Sequence, residues 1–377
     1  MPPRVLVGMS GGVDSAVAAY LLKQQGYEVV GATMRLWVDG DDLDVGGCCS
    51  LSAVEDARSV AHKLGIPHYV LNYKDIFRRQ VVDYFIEEYR QGRTPNPCIA
   101  CNSRVRFTSF LEQAKSLGCQ FIATGHYAQI ARGDEHGDGS VGPLRLRRAV
   151  DKHKDQSYML FRLTEEQMRH TLFPLGHLEK SKVREIAAAI GLLVAYKPDS
   201  QEVCFIPDDD YKRFLNAEGI VARPGLIIDE VGRMLGTHQG IHGYTIGQRK
   251  GLGLTSIDPL YVLRIDPANN LIVVGPHAAL WQREVLITDL HFLLYPPPSQ
   301  LLTAKVRSAG DGSFCFVNFS GIDCAIVTFQ DPVRAPTPGQ SLVLYDGDLV
   351  VGGGTIADVS GIDRHFAGRI HRSDALA

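Results

Sequence analysis

Apolar and polar positions follow two different periods along the first half of the chain. Arg4-Val5-Leu6-Val7-Gly8, Tyr27 to Thr33, His68 to Leu71 and Phe121 to Thr124 are short, β-branched apolar runs of the kind that form buried strands. Between them, Ser15 to Gln25, Ser52 to Leu64, Lys74 to Arg90 and Val105 to Ser116 carry the three-to-four residue spacing of helices, and Gly26 stops the first. Strands that alternate with helices predict an α/β fold with a parallel sheet.

Past about Phe205 the texture changes. Leu226-Ile227-Ile228, Tyr261 to Ile265 and Leu271 to Val274 are β-branched runs bounded by Gly, Pro and Asn, which predicts a small, mostly β domain. Leu301 to Arg307, Phe314 to Phe319, Cys324 to Phe329 and Ser341 to Tyr345 recur at β spacing and predict a C-terminal barrel or sandwich. The expected organisation is an α/β domain over 1–205, a β domain over 206–280, a β-barrel-like domain over 281–360 and a loose tail over 361–377.

Composition narrows the class. A length of 377 residues favours two or three domains. Apolar residues make up 45% of the chain but are interrupted by charge, so no run reaches the roughly 20 residues of a membrane span. With no secretory pattern at the N-terminus, the expected location is the cytosol, where eight cysteines point to buried, catalytic or metal-binding roles before disulfides. The formal charge of −3 gives no global attraction to a polyanion, so any nucleic-acid contact has to be local.

Chemistry enters at Gly8-Met9-Ser10-Gly11-Gly12-Val13-Asp14-Ser15, between the first strand and the first helix. Two glycines let backbone N–H groups approach phosphate, and the helix N-terminus faces the same point. The segment lacks the lysine of a Walker loop and the three-glycine dinucleotide spacing. It resembles the PP-loop ATP pyrophosphatases, whose mark is Ser-Gly-Gly-x-Asp-Ser after the first strand and which cleave ATP between the α and β phosphates. In that reading the loop holds leaving pyrophosphate and Asp14 could hold Mg²⁺ against it.

A second constellation lies in Gly92-Arg93-Thr94-Pro95-Asn96-Pro97-Cys98-Ile99-Ala100-Cys101-Asn102, where two prolines predict an extended turn before a Cys-x-x-Cys. A further cysteine follows in Asp199-Ser200-Gln201-Glu202-Val203-Cys204-Phe205. Taken singly, such a pair suits zinc or structure, and Cys204 suits a small core residue. Cys48 and Cys49 read as buried or incidental, and Cys119, Cys315 and Cys324 as core.

Together with Ala123-Thr124-Gly125-His126-Tyr127, Lys154-Asp155-Gln156-Ser157-Tyr158, Gly247 to Gly253 and Thr337-Pro338-Gly339-Gln340-Ser341, these segments resemble the bacterial tRNA-specific 2-thiouridylases from about Arg4 to about Ile356. The resemblance implies adenylation of wobble uridine 34 at its C2 oxygen, then replacement of that oxygen by sulfur with loss of AMP. It implies that Cys204 carries a persulfide, that Cys101 is the nucleophile that releases it, and that the two end disulfide-bonded. Met34 and Gly125 match the adenine and ribose contacts. Asn96, Pro97 and Cys98 surround the target base, and Lys154, Asp155, Gln156, His126, Arg307, Ser308 and Gln340 contact tRNA. Partners by the same resemblance are glutamate, glutamine and lysine tRNAs and a persulfide donor such as a cysteine desulfurase or relay protein.

Cys98 departs from the family, which carries an aspartate there to manage a proton. Cys98, Cys101 and Cys204 together offer three thiolates, enough for a [4Fe-4S] cluster with an open iron. Around Leu144 to Arg162, the residues Arg145, Arg147, Arg148, Lys152, Lys154 and Arg162 form a local basic strip that could track phosphates. An alternative reading is another PP-loop ligase or amidotransferase that adenylates a small metabolite; a third is a tRNA-binding protein without catalysis.

Overall fold

A computed structural model describes residues 1–37, 51–132, 142–198 and 203–358. Cys48, Cys49, the segment 199–202 and the predicted tail over 361–377 lie outside the described residues. The chain forms two compact units. The first comprises Met1–Phe85, Pro97–Phe214 and Tyr345–Gly352, and the second Ile86–Asn96, Leu215–Leu344 and Gly353–Ala377.

The first unit is built on a parallel sheet. Its strands are β1 (Arg4–Gly8), β2 (Glu28–Arg35), β3 (His68–Asn72), β4 (Phe121–Ala123) and, beyond a short antiparallel pair β5 (Gln129–Arg132) and β6 (Leu144–Arg147), β7 (Thr171–Leu172). The order is β3-β2-β1-β4-β7, with every neighbouring pair parallel. Val5, Leu6 and Val7 have no exposed surface, as expected of a strand covered on both faces. Helix α1 (Val13–Gln24) buries Ala16, Val17, Ala18, Ala19 and Leu22. Helix α2 (Leu51–Leu64) buries Ala53, Val54, Ala57, Val60, Ala61 and Leu64, the stripe its spacing predicts. The chain leaves β1 toward β2 on one side and returns to β4 on the other, so the sheet has its switch point between β1 and β4, where ligands bind in open α/β sheets.

Two local differences from expectation bear on the site. The predicted helix from Val105 begins earlier: Pro97–Ala100 is already helical, and Cys101–Ser109 continues it with π-type winding into Phe110–Ser116. Proline is accepted at a first helical position because its missing N–H would have no partner there, so the Cys-x-x-Cys opens a helix and does not close an extended turn. The basic strip contains β6, whose Leu-Arg-Leu-Arg alternation is a strand pattern.

The chain from Gly225 to Ile356 is β-rich. Strands β8 (Gly225–Asp229), β9 (Met234–His238), β10 (Tyr261–Asp266) and β11 (Leu271–Gly275) form a sheet in the order β10-β11-β8-β9 around Ile227, Val262, Ile265, Ile272 and Val274. Strands β12 (Trp281–Phe292), β13 (Leu302–Lys305), β14 (Ser313–Phe319), β15 (Cys324–Arg334), β16 (Ser341–Asp346) and β17 (Leu349–Ile356) follow in the order β12-β15-β14-β13-β16-β17. The pairing of β12 with β17 closes them into a six-stranded barrel. No helix among the described residues is long and apolar enough to cross a membrane.

Candidate functional site

At the switch point, β1 ends at Gly8 and the chain turns through Met9 to Gly12 into α1. Gly11 sits at φ +70°, and a Cβ there would lie 2.3 Å from the Ala53 carbonyl oxygen, so α2 closes over the loop where only glycine fits. Ser15 fastens the turn: its hydroxyl donates to Gly12 O at 3.1 Å and accepts from Ser10 N at 3.2 Å. Gly12 gives α1 no side-chain cap, which leaves the first helical N–H groups for an anion. Met34 is 8% exposed, and its Cε lies 3.7 Å from where a Gly8 Cβ would stand.

Gly125 follows β4 on the other side of the switch. A Cβ on it would come within 2.7 Å of Ser15 N and 2.8 Å of the Asp14 carbonyl carbon, so glycine at 125 is what lets the two loops close on one another.

Asp14 points from the first turn of α1 to two side chains. Lys180 Nζ donates to Oδ1 at 2.8 Å and to Oδ2 at 2.7 Å, and the Tyr127 hydroxyl donates to Oδ1 at 2.7 Å. Lys180 was not singled out from the sequence. It is the first residue of the helix Lys180–Ala189, where a cation opposes the helix dipole. That anomaly is the signal that could have found it, and pairing with Asp14 explains it.

The residues expected to touch RNA are partly engaged inside the first unit. The Asp155 carboxylate accepts from the backbone N–H groups of Ala149 and Ser157, both at 3.1 Å, and from the Ser157 hydroxyl at 2.9 Å. Gln156 Oε1 accepts from Tyr127 N at 2.9 Å, and Gln156 N donates to Tyr127 O at 2.8 Å. Lys152 and His153 are exposed and Lys154 half-buried. Arg147 is exposed, whereas the Arg148 guanidinium lies 4.0 Å over the Tyr345 ring. His126 packs against Phe107 and Phe173, with ring centroids 5.8 and 6.1 Å away, and its Nδ1 is 2.7 Å from Thr124 Oγ1. Burial, followed by the charge of Arg106, pushes the His126 pKa down to about 3, so the ring is neutral near pH 7.

Cys98 is exposed, Cys101 buried and Cys204 half-buried. Phe205 fixes the neighbourhood of Cys204 by packing edge-on against Phe77, Phe85 and Phe214 at centroid distances of 5.7, 5.2 and 5.3 Å. Among the described residues, which include all three cysteines, no group of three His, Cys, Asp or Glu side chains gathers to hold a metal ion. Asp14, a carboxylate at the phosphate loop, suits Mg²⁺, which is commonly held by one or two carboxylates together with phosphate oxygens. Cys119 and Cys315 are buried core residues, and burial pushes the Cys315 thiol up to about 12.

In the second unit, the segment that leads into Pro97 is gripped by two loops. Gln340 Nε2 donates to Thr94 O at 2.9 Å and Pro95 O at 3.1 Å, and Thr94 N donates to Pro338 O at 2.9 Å. The Thr94 hydroxyl donates to Thr245 Oγ1 at 3.4 Å, beside the Gly247 to Gly253 motif. Arg307 and Ser308 are exposed on the bend between β13 and β14.

Residues 3–208 match the family described as the tRNA methyl transferase HUP domain, 212–276 its PRC-barrel domain, and 282–356 the aminomethyltransferase beta-barrel domain. The tRNA-specific 2-thiouridylase MnmA of Clostridioides difficile is 49% identical over 360 residues, covering 94% of this chain and 98% of the relative. That of Symbiobacterium thermophilum is 51% identical over 363 residues, covering 94% and 92%. A 4-thiouridine synthetase in complex with RNA and bound ATP aligns over 57% of this chain and 50% of its own, at 16% identity and a TM-score of 0.33. On this identity and coverage, the chain belongs to the tRNA-specific 2-thiouridylase family.

Proposed function

We propose that this enzyme converts a tRNA uridine to 2-thiouridine at the wobble position, with ATP as the activating substrate. The observation that carries the reading is the uncapped phosphate loop, closed by Gly125 and aligned by Lys180, in a chain half identical to 2-thiouridylases over nearly all its length. The 2-thiouridylase relatives do not favour adenylation of a small metabolite.

In this reading the uridine C2 oxygen attacks the α-phosphorus of ATP, and pyrophosphate leaves toward the backbone N–H groups of Gly11 to Ser15. Lys180 supplies positive charge beside the leaving group, and Mg²⁺ bound at Asp14 would neutralise more of it. A persulfide on Cys204 attacks C2 through its terminal sulfur, and AMP departs with the former C2 oxygen. The Cys101 thiolate then attacks Cys204 Sγ. The terminal sulfur stays on C2 as 2-thiouridine, and a Cys101–Cys204 disulfide remains for a thiol reductant to reopen. Cys98 takes the place of the family's proton-handling aspartate. Asn96 and Pro97 border the base, Met34 and Gly125 the adenosine, and Lys154, His126, Arg307 and Ser308 the RNA. The neutral ring of His126 suits stacking or hydrogen bonding and not a phosphate ion pair. Glutamate, glutamine and lysine tRNAs are the proposed substrates, a cysteine desulfurase or relay protein the sulfur donor, and the cytosol, which is reducing, the compartment.

The test is incubation with ATP, Mg²⁺, a persulfide donor and unmodified tRNA, followed by nucleoside mass spectrometry. 2-Thiouridine is expected, and Cys204→Ser should abolish it while tRNA binding persists. Pyrophosphate release on a small metabolite without thiolation would overturn the reading.

A further inference from the structure

The six residues Asp151 to Gln156 are tied to the phosphate loop twice, by independent routes. The Asp151 carboxylate accepts from His153 N at 3.0 Å and Lys154 N at 3.1 Å through Oδ1, while its Oδ2 accepts from Lys180 N at 2.9 Å. One carboxylate thus joins the 151–154 turn to the residue whose ammonium holds both oxygens of Asp14. The second route runs through Gln156, which is paired in both directions with the backbone of Tyr127, whose hydroxyl holds Asp14 Oδ1. Tyr127 is 2% exposed, so it has little freedom to move except with its neighbours. Both groups that hold Asp14 are therefore placed by one short segment, and that segment presents Lys152 and His153 to solvent.

We propose that Asp151 to Gln156 is a positioning segment that couples RNA backbone bound at Lys152 to Lys154 to the alignment of Asp14 and Lys180 at the ATP phosphates, with Asp151 and Tyr127 as the positioning residues. This rests on the tRNA-thiolating reading above. Asp14 is an anion beside a site that takes a triphosphate, and a carboxylate there repels the ligand unless its partners hold it. A turn fixed by RNA fixes both partners at once, so activation of ATP is favoured when the acceptor is present. The coupling has to be reciprocal: what RNA does for the nucleotide, the nucleotide does for RNA.

The experiment measures tRNA affinity by filter binding with and without a non-hydrolysable ATP analogue, in the wild-type enzyme, Tyr127→Phe and Asp151→Asn. Melting temperatures are recorded alongside. The wild type should bind tRNA about fivefold or more tightly with the analogue. Because the two routes end on one carboxylate, which is aligned only while both partners hold it, each variant should bind either ligand alone within about twofold of wild type yet lose most of the mutual effect, and its kcat for tRNA-dependent pyrophosphate release should fall while the KM for ATP stays put. If one variant fails to fold, the other carries the test, because the two routes are separate. Mutual tightening that survives in a folded variant, or is missing in a wild type that makes 2-thiouridine, overturns the proposal. A wild type that neither binds nor thiolates tRNA overturns the underlying function instead.

Discussion

The side-chain amide of Gln340 donates to the carbonyl oxygen of Thr94 at 2.9 Å, which ties the loop before β16 to the segment that leads into the Cys-x-x-Cys helix. With both amide hydrogens engaged, on Thr94 and Pro95, Gln340 leaves its carbonyl oxygen for other contacts. Gln340→Leu should therefore lower 2-thiouridine formation roughly tenfold, about the effect of losing 1.4 kcal/mol of alignment, with a smaller effect on tRNA affinity. Single-turnover thiolation and filter binding on the same variant separate the two; an affinity loss that accounts for the whole rate loss would make Gln340 an RNA contact alone.

Gly339 beside it is at φ +89°, with a prospective Cβ 3.0 Å from both Arg93 Cβ and Thr94 O. Gly339→Ala should destabilise the protein by about 1–2 kcal/mol from backbone conformation alone, with crowding added. Denaturant unfolding measures this, and an unchanged midpoint would show that the loop relaxes freely.

Gly125→Ala should damage nucleotide binding more than stability, since its Cβ would enter the space of Ser15 N at 2.7 Å. An increase in the KM for ATP of about tenfold or more corresponds to one displaced charge-assisted hydrogen bond. An initial-rate titration of ATP decides it.

Lys180→Met leaves Asp14, whose side chain is 30% exposed, without its cation. Loss of one preorganised charge beside the leaving group should reduce tRNA-dependent pyrophosphate release by about 10²–10³. Asp14→Asn in the same chain should restore part of any lost stability, because no unpaired carboxylate remains. Thermal melts of the single and double variants, beside release rates, test both statements.

The half-buried His126 makes stability depend on acid. Its pKa is about 3 in the folded chain against 6.5 for an ordinary histidine, burial being the larger cause and Arg106 the second. Between these values the unfolded chain binds a proton that the folded chain does not, so stability falls as pH drops below 6.5, by at most about 1.4 kcal/mol per pH unit from this group. Asp151 adds a loss further into acid. Although burial favours its neutral form, the N–H groups of Lys180, Lys154 and His153 hold its pKa below 3.8, so its contribution disappears as it protonates. His126→Gln should flatten the melting temperature between pH 7 and 5 relative to wild type; identical slopes would refute the assignment to His126.

The amino-acid sequence by itself determined the parallel sheet, the phosphate loop and the barrel strands, because each depends on local pattern: period-two and period-three-to-four apolar spacing, and glycines between a strand and a helix. It also supplied the cysteine positions and the family likeness. It placed the start of the Cys-x-x-Cys helix too late, because proline reads as a breaker unless it occupies the first turn. Only the tertiary structure decided which residues meet. Lys180 and Asp14 are 166 positions apart, Gln340 and Thr94 246, and no local propensity encodes either pair. Switch-point topology brings the ends of β1 and β4 together, and so turns Gly125 from a small residue in a motif into the surface against which the ATP loop closes.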